Sequence, residues 1–399
     1  MSTLSATLSS ITAGGPDGWD LHRRAMRMIA AGEPVIPLSI GEHDIRTDPA
    51  ILAAMDAAAR GGRTGYAEIA GTPALRAEIA ARVQAQSGVV TTPANVIVMP
   101  GGQAGLFAAH RAACDPGDVA LYVDPYYATY PGTIRAVGAQ PRSVIAAAEA
   151  GFQPAEDDLR QAAQAGASQG RTRSLLINSP NNPTGALYSR ATLEGIARVC
   201  READLWLISD EVYDTQVWEG AHLSPRALPG MAERTLVVGS LSKSHAMTGS
   251  RVGWIVGPEA AIAALDALAT HTTYGIPGYI QDAALFALQQ GAGFEAGIAE
   301  PFRRRRAIVE RVLARTTSVR AAPMRGAMYA MLDIRATGLS GEAFGRRLLD
   351  EERIAVMPGE SFGTAGAGHV RVALTVDDAR LDEALSRLVA LAERLAAPA

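Results

Sequence analysis

The sequence has only two cysteines, Cys114 and Cys200, among 399 residues. A disulfide framework of the secreted kind needs more of them at regular spacing, so a reducing, cytoplasmic setting is expected. An excess of one charge is also lacking: 37 Lys and Arg stand against 41 Asp and Glu, a net charge of −4. No basic surplus marks a nucleic-acid partner, and no charge block marks an interaction tail. The N-terminal stretch MSTLSATLSSITAGGPDGWD has neither a basic start nor a long apolar run, so no signal peptide is read there. Apolar runs such as 260–269 are interrupted by charge and fall short of a membrane span, and a soluble protein is expected. The histidines (His22, His43, His110, His222, His245, His271 and His369) are scattered, without His-Glu-x-x-His spacing, so no metal site is expected. No Gly-x-Gly-x-x-Gly follows a strand, and no Walker-type lysine loop occurs.

What is present is ordinary globular material, 48% hydrophobic and 20% charged. The length exceeds what one hydrophobic core usually supports, so a larger and a smaller domain are expected. Residues 1–18 read as a loose arm and 19–31 as an amphipathic helix. Residues 33–40 read as a short strand, and Asp48-Pro49 as a helix start. From about 50 to 290, strand candidates at 96–99, 119–123, 174–178, 206–209 and 235–239 alternate with helical stretches at 103–114, 191–202 and 281–289. Alternation of this kind implies a mainly parallel sheet covered on both faces, with ligands at the carboxyl ends of the strands. The last hundred residues read as an α+β module: helix 300–316, strand 328–332, helix 340–351, strand 370–374 and helix 377–395.

The chemistry-bearing residues follow those strand ends. Ser240-Leu-Ser242-Lys243 comes directly after a strand, with Arg251 eight residues beyond the lysine. A lysine used as a nucleophile suits a partly desolvated strand end, where its pKa falls. Two serines and an arginine can hold a phosphate dianion. Alone, the lysine reads equally well as a surface residue on a loop. Asp210, in Ile208-Ser-Asp-Glu-Val-Tyr213, could pair with a protonated pyridine nitrogen, or could simply cap a helix. Asn178-Ser-Pro-Asn-Asn182-Pro-Thr-Gly185 is a turn-forming run.

Taken as a set and in this order, Asn182-Pro-Thr-Gly, Asp210-x-x-Tyr213 and Ser240-x-x-Lys243 with Arg251 resemble the class I/II aminotransferases. These are pyridoxal-phosphate enzymes of fold type I. The resemblance implies an α/β fold: a large domain with a mostly parallel sheet between helices, and a smaller α+β domain. The implied division is 1–48 as arm and part of the small domain, 49–292 as the cofactor domain, and 293–399 as the C-terminal small domain. It implies that Lys243 carries the cofactor as a Schiff base and is the catalytic acid and base. Asn182 and Tyr213 would contact the phenolate oxygen, and Asp210 the ring nitrogen. Ser240, Ser242 and Arg251 match the phosphate ligands, as do Gly102 and Gln103 in Pro100-Gly-Gly-Gln103. Tyr127 matches the aromatic that lies on the pyridine ring. Tyr66, in Gly65-Tyr66, matches a tyrosine that reaches the phosphate of a neighbouring subunit, which implies a homodimer with shared active sites. Arg371, in Gly368-His-Val-Arg371, matches the arginine that grips the substrate α-carboxylate. Asn182 shares in that contact, and Gly41 lies in the loop over it. His43 and Ser250 depart from the family pattern and bear on pocket shape.

The stretches 19–22, 204–213, 242–249 and 333–339 resemble the arginine–pyruvate transaminases within the family. That implies a basic L-amino acid, arginine among them, as donor and a 2-oxo acid such as pyruvate as acceptor. A guanidinium donor would want a carboxylate, and Glu68 and Asp44 are candidates by proximity in sequence alone; both read more readily as solvated loop acids. An aspartate- or alanine-type transaminase or a β-lyase on the same scaffold is the enzymatic alternative. A regulator on this fold would carry a DNA-binding domain, for which no segment is evident.

Overall fold

The computed structural model describes residues 4–12, 18–165 and 170–396. Its main sheet has seven strands in the order Val96–Met99, Gly253–Val256, Thr235–Ser240, Trp206–Asp210, Thr172–Asn178, Val119–Asp124 and Gln140–Ile145. Neighbours run parallel except at Gly253–Val256, which is antiparallel to both strands beside it. Helices cover both faces, so the inner strands are buried on both sides and read as continuous apolar runs. Thr235–Ser240 and Val119–Asp124 are buried at every position.

All five expected strands of this sheet are present, and the two unread ones have physical reasons. Gln140–Ile145 is an edge strand, mostly exposed and carrying Pro141, so it lacks an apolar signature. Gly253–Val256 is only four residues long and lies hidden behind the Arg251 motif. Gly253 is required there, since a Cβ would stand 2.7 Å from the Gly239 carbonyl oxygen and 2.8 Å from the Gly101 carbonyl carbon.

A second, antiparallel sheet joins Met357–Pro358, His369–Ala373, Tyr329–Asp333 and Arg320–Ala321. Helices Gly291–Leu313, Gly341–Glu352 and Asp378–Ala396 belong to the same region, and Phe302, Phe344, Leu348, Leu385 and Val370 share one core. The helix expected from residue 300 begins at Gly291 and carries Pro301 in its interior, so the division expected at 292/293 falls within it. The expected strand 33–40 shortens to Ile36–Pro37, which pairs in parallel with Ile354–Ala355. Helix Pro49–Arg60 starts as expected, with the Asp48 side chain accepting from the Ala50 amide at 2.8 Å. The arm is not wholly loose: Ala6–Ser10 is helical, and Arg135 donates to the Ile11 carbonyl at 3.2 Å. The rest of the expected arm, residues 1–3 and 13–17, lies outside the described residues. No helix among those described is long and apolar enough to cross a membrane.

Candidate active site

The carboxyl ends of the parallel strands meet at a cavity of about 290 Å³. Lys243 lies in the short helix Leu241–Ser244, directly beyond strand Thr235–Ser240. Its ammonium donates to the Gly41 carbonyl oxygen. Burial lowers its pKa to about 8; Glu42 opposes the shift, while Arg371 and Arg251 add to it. Such an amine gives up its proton far more readily than an ordinary lysine, as a nucleophile must.

Asp210 ends the neighbouring strand, with Oδ2 accepting from the Tyr130 hydroxyl at 2.7 Å. Burial pushes its pKa up to about 6, and the Tyr130 bond pulls the other way. A carboxylate in this state gains from a cation placed beside it. Asn178, at the end of the next strand, donates to the Asp210 carbonyl at 2.9 Å and accepts from the Asn182 amide at 2.8 Å. It therefore fixes the Asn182 turn against Asp210. Tyr213 and Tyr329 face each other, hydroxyl to hydroxyl, at 2.9 Å, and burial keeps Tyr213 well above the ordinary phenol range.

At one end of the cavity the groups suit a phosphate. The Ser240 hydroxyl accepts from the Ser242 amide at 3.1 Å and lies 3.0 Å from the Ser242 hydroxyl. Arg251 has φ 52°, in the left-handed region, and donates to the Thr248 carbonyl at 2.9 Å. Its guanidinium passes over Gly101, where a Cβ would stand 2.3 Å from Nη2. Helix Gly102–Ala113 starts there, and its N-terminus offers free amides to an anion. Gln103 is held by Thr129 at 2.9 Å and Thr133 at 2.7 Å. Tyr127 also lines the cavity.

At the other end Arg371 is only 1% exposed. It donates to Asn182 Oδ1 at 2.8 Å and to the Ser39 carbonyl at 2.6 Å. Its guanidinium carbon lies 4.6 Å from the Tyr329 ring centre and 4.5 Å from that of Phe362. Nε has no partner. A buried cation with an idle donor calls for an anion. Gly41 is forced by the neighbour, since a Cβ there would stand 1.8 Å from the Tyr329 hydroxyl oxygen.

Thus Gly41, Gly102, Gln103, Tyr127, Asn182, Asp210, Tyr213, Ser240, Ser242, Lys243, Arg251 and Arg371 all line one cavity. Tyr66 does not: it is 92% exposed and packs edge-to-face on Tyr274, with ring centres 5.1 Å apart. Glu68 is exposed on the same loop and also lies outside the cavity lining. Asp44 corrects an expectation. Its carboxylate is held by Arg305 at 2.9 and 2.5 Å, because that buried arginine on helix Gly291–Leu313 needs a counter-charge, so Asp44 is not presented to a substrate. His245 lies outside the cavity, stacked on Phe294, and His43 packs edge-on against Phe302. The sequence reading missed Trp19, Glu42, Asn178, Tyr130 and Tyr329 as lining residues. Trp19 and Asn178 stand inside stretches quoted above, and Glu42 and Tyr130 lie next to Gly41 and three residues beyond Tyr127, but Tyr329 is an aromatic in an apolar strand and carries no local signal.

The buried lysine, the glycine cradle beneath Arg251 and the idle donor of Arg371 fit pyridoxal phosphate with an amino-acid carboxylate. The fold and this cluster define a fold type I pyridoxal-phosphate enzyme. The family model for aminotransferase class I and II matches residues 33–388. The arginine–pyruvate transaminase of Pseudomonas aeruginosa is 41% identical over 385 residues, covering 96% of this chain and 97% of that protein. The aspartate aminotransferase of Streptomyces avermitilis is 35% identical over 398 residues, covering 96% and 95%. The aspartate aminotransferase structure from Thermus thermophilus with maleate superposes with a TM-score of 0.89 at 33% identity, over 97% of this chain and 100% of that one. The chain therefore belongs to the class I and II aminotransferases, and it is a pyridoxal-phosphate-dependent transaminase.

Proposed function

We propose that this transaminase moves the α-amino group of a basic L-amino acid, arginine foremost, to pyruvate. The observation that carries the donor reading is the 41% identity to an arginine–pyruvate transaminase along nearly the whole of both chains. The cavity's charges support it. Its cationic lining residues, among those described, are Lys243, Arg251 and Arg371, and each has a task in the reaction. A donor with a second carboxylate finds no further cation in that lining, whereas Glu42 stands at the cavity with its carboxylate 3.2 Å from the Thr248 hydroxyl.

When bound, pyridoxal phosphate supplies the carbonyl that takes up the amino group and the ring that draws electrons from the α-carbon. Lys243 would hold it, and its amine, once free, would remove and return the α-proton as general base and acid. Asp210 would pair with the ring nitrogen, kept in place by Tyr130 and Asn178. Tyr213 and Asn182 would face the phenolate oxygen, and Tyr127 the ring face. Ser240, Ser242, Arg251, Gln103 and the Gly102 amide would bind the phosphate. Arg371, with Asn182 and the Gly41 loop, would hold the α-carboxylate and so orient the bond to be broken.

The same reading makes the protein a cytoplasmic homodimer, with the division 1–48, 49–292 and 293–399. The exposed Tyr66–Tyr274 pair supports an interface through which Tyr66 serves the partner's phosphate site. Two buried, unpaired cysteines support the compartment. The test is a titration of the purified enzyme with a panel of amino acids, following the cofactor's visible absorbance. Arginine should discharge the band most efficiently and pyruvate should restore it. A stronger response to aspartate or glutamate would overturn the donor reading and favour the aspartate-type alternative.

A further inference from the structure

Asp124 is a buried carboxylate that none of the roles above uses. It ends strand Val119–Asp124, three residues before Tyr127, and is 1% exposed. Its partners all lie on a loop far along the chain. Oδ2 accepts from the Thr364 amide and the Thr364 hydroxyl, both at 2.9 Å, and Oδ1 accepts from the Ala365 amide at 3.1 Å. Gly363, at φ 114°, lets the loop close on it; a Cβ there would stand 2.2 Å from Oδ1. One residue back is Phe362, fully buried, whose ring lies 4.5 Å from the Arg371 guanidinium carbon. A second clasp holds the same pair of segments, the Tyr126 amide donating to the Phe362 carbonyl at 2.9 Å.

Arg371 needs such support. Asn182 and the Ser39 carbonyl each hold one of its Nη atoms, and Nε has no partner among the described residues. Its plane is otherwise set by the two rings that flank it, Tyr329 and Phe362. Tyr329 is fixed from within its own sheet and by Tyr213. Phe362 sits on a loop in a turn of 3₁₀ type, Gly359–Phe362, with no regular strand to hold it. The three charge-assisted bonds to Asp124 supply that hold.

We propose that Asp124 is a positioning residue for the substrate carboxylate: by clamping Thr364 and Ala365 it presses Phe362 against Arg371 and fixes the plane of the guanidinium. This rests on the reading of Arg371 as the carboxylate-binding residue. Donor and acceptor both carry a carboxylate on the same carbon, so loosening the clamp weakens both halves of the reaction by the same factor. The phosphate site, at the other end of the cavity, has no contact with the Asp124 clamp, so cofactor affinity should hold.

The test is Asp124→Ala, with KM for the amino acid and for the oxo acid measured separately, alongside kcat and the cofactor dissociation constant. Misplacement of this order is expected to raise both KM values by a similar factor, roughly tenfold. The cofactor constant should stay at the wild-type value. Arg371→Leu calibrates the reading, and the double variant completes a cycle in which Asp124→Ala adds nothing once Arg371 is gone. Should Asp124→Ala fail to fold, Thr364→Val removes one donor and should show the same paired rise, smaller in size. Unchanged KM values in a folded Asp124 or Thr364 variant, with Arg371→Leu impaired, overturn the proposal alone. Unchanged KM values in Arg371→Leu overturn the reading beneath it. A rise confined to one substrate, or matched by weaker cofactor binding, shows a general loosening of the fold and also overturns it.

Discussion

Asp210→Asn should stabilise the cofactor-free protein at neutral pH while weakening it as an enzyme. Asp210 is 4% exposed, and burial pushes its pKa from 3.8 up to about 6. The folded state therefore holds the proton more tightly than the unfolded chain, and stability falls as pH rises through that window. Below about pH 3.8 both states are protonated and there is no penalty; above about pH 6 the penalty is complete. The interval, at about 1.4 kcal/mol per pH unit, corresponds to about 3 kcal/mol. Asparagine keeps an oxygen for the Tyr130 hydroxyl but turns its amide toward the Val212 N–H, now 3.4 Å from Oδ1, which returns about 1 kcal/mol. A net gain of about 2 kcal/mol, or roughly 2 °C in melting temperature, is expected at pH 8. It should vanish near pH 4. Once the cofactor is bound the sign reverses, because a cationic ring nitrogen would lose its counter-charge. A weakening of cofactor affinity by roughly a hundredfold is expected. Thermal melts of both proteins, with and without cofactor, across that pH range provide the assay. An Asp210→Asn protein no more stable than wild type at pH 8 without cofactor would refute the burial argument. Equal stabilisation in the loaded state would refute the role assigned to Asp210.

The remaining expectations concern single contacts. Lys243→Ala should abolish the cofactor's covalent attachment and lower kcat by at least roughly 10³-fold, read by absorbance and single-turnover kinetics. Asp44→Ala removes one of two carboxylates from Arg305, which keeps Asp378 at 3.2 Å and the Leu374 carbonyl at 3.0 Å, so stability should fall by only about 1 kcal/mol with every amino-acid donor affected alike; a selective loss of arginine turnover would return Asp44 to the pocket. Gly41→Ala forces a Cβ onto the Tyr329 hydroxyl and should raise KM for both substrates, whereas wild-type kinetics would mean that the loop shifts freely. The protein should sediment as a dimer and Tyr66→Phe should weaken cofactor binding by roughly tenfold; an unchanged constant would remove Tyr66 from the phosphate site.

The legible part of this protein is the part written in contiguous residues. A parallel strand buried on both faces leaves an uninterrupted apolar run, and the turn at its carboxyl end brings the polar residues immediately after it to one rim. That is why Lys243, Asp210, Asn182 and Gly102 could be placed from sequence before any distance was known. The opposite end of the cavity is assembled across the chain. Arg371 meets Ser39 from a segment over three hundred positions away, and Phe362 is set by Asp124, a residue whose strand looks like any other. Asp44 shows the same limit: its nearness to Gly41 in sequence leaves a substrate contact and a solvated loop acid both open, while the fold pairs it with Arg305 on a remote helix. Local chemistry thus exposes the groups proposed to bind the cofactor, which stand on backbone turns and strand ends. The groups that choose and orient a substrate depend on how two sheets meet, and only a folded chain displays them. A donor assignment drawn from motifs alone rests on scaffold stretches, whereas the lining of one subunit, with Lys243, Arg251 and Arg371 as its cations among the described residues, leaves a second carboxylate to find its counter-charge elsewhere.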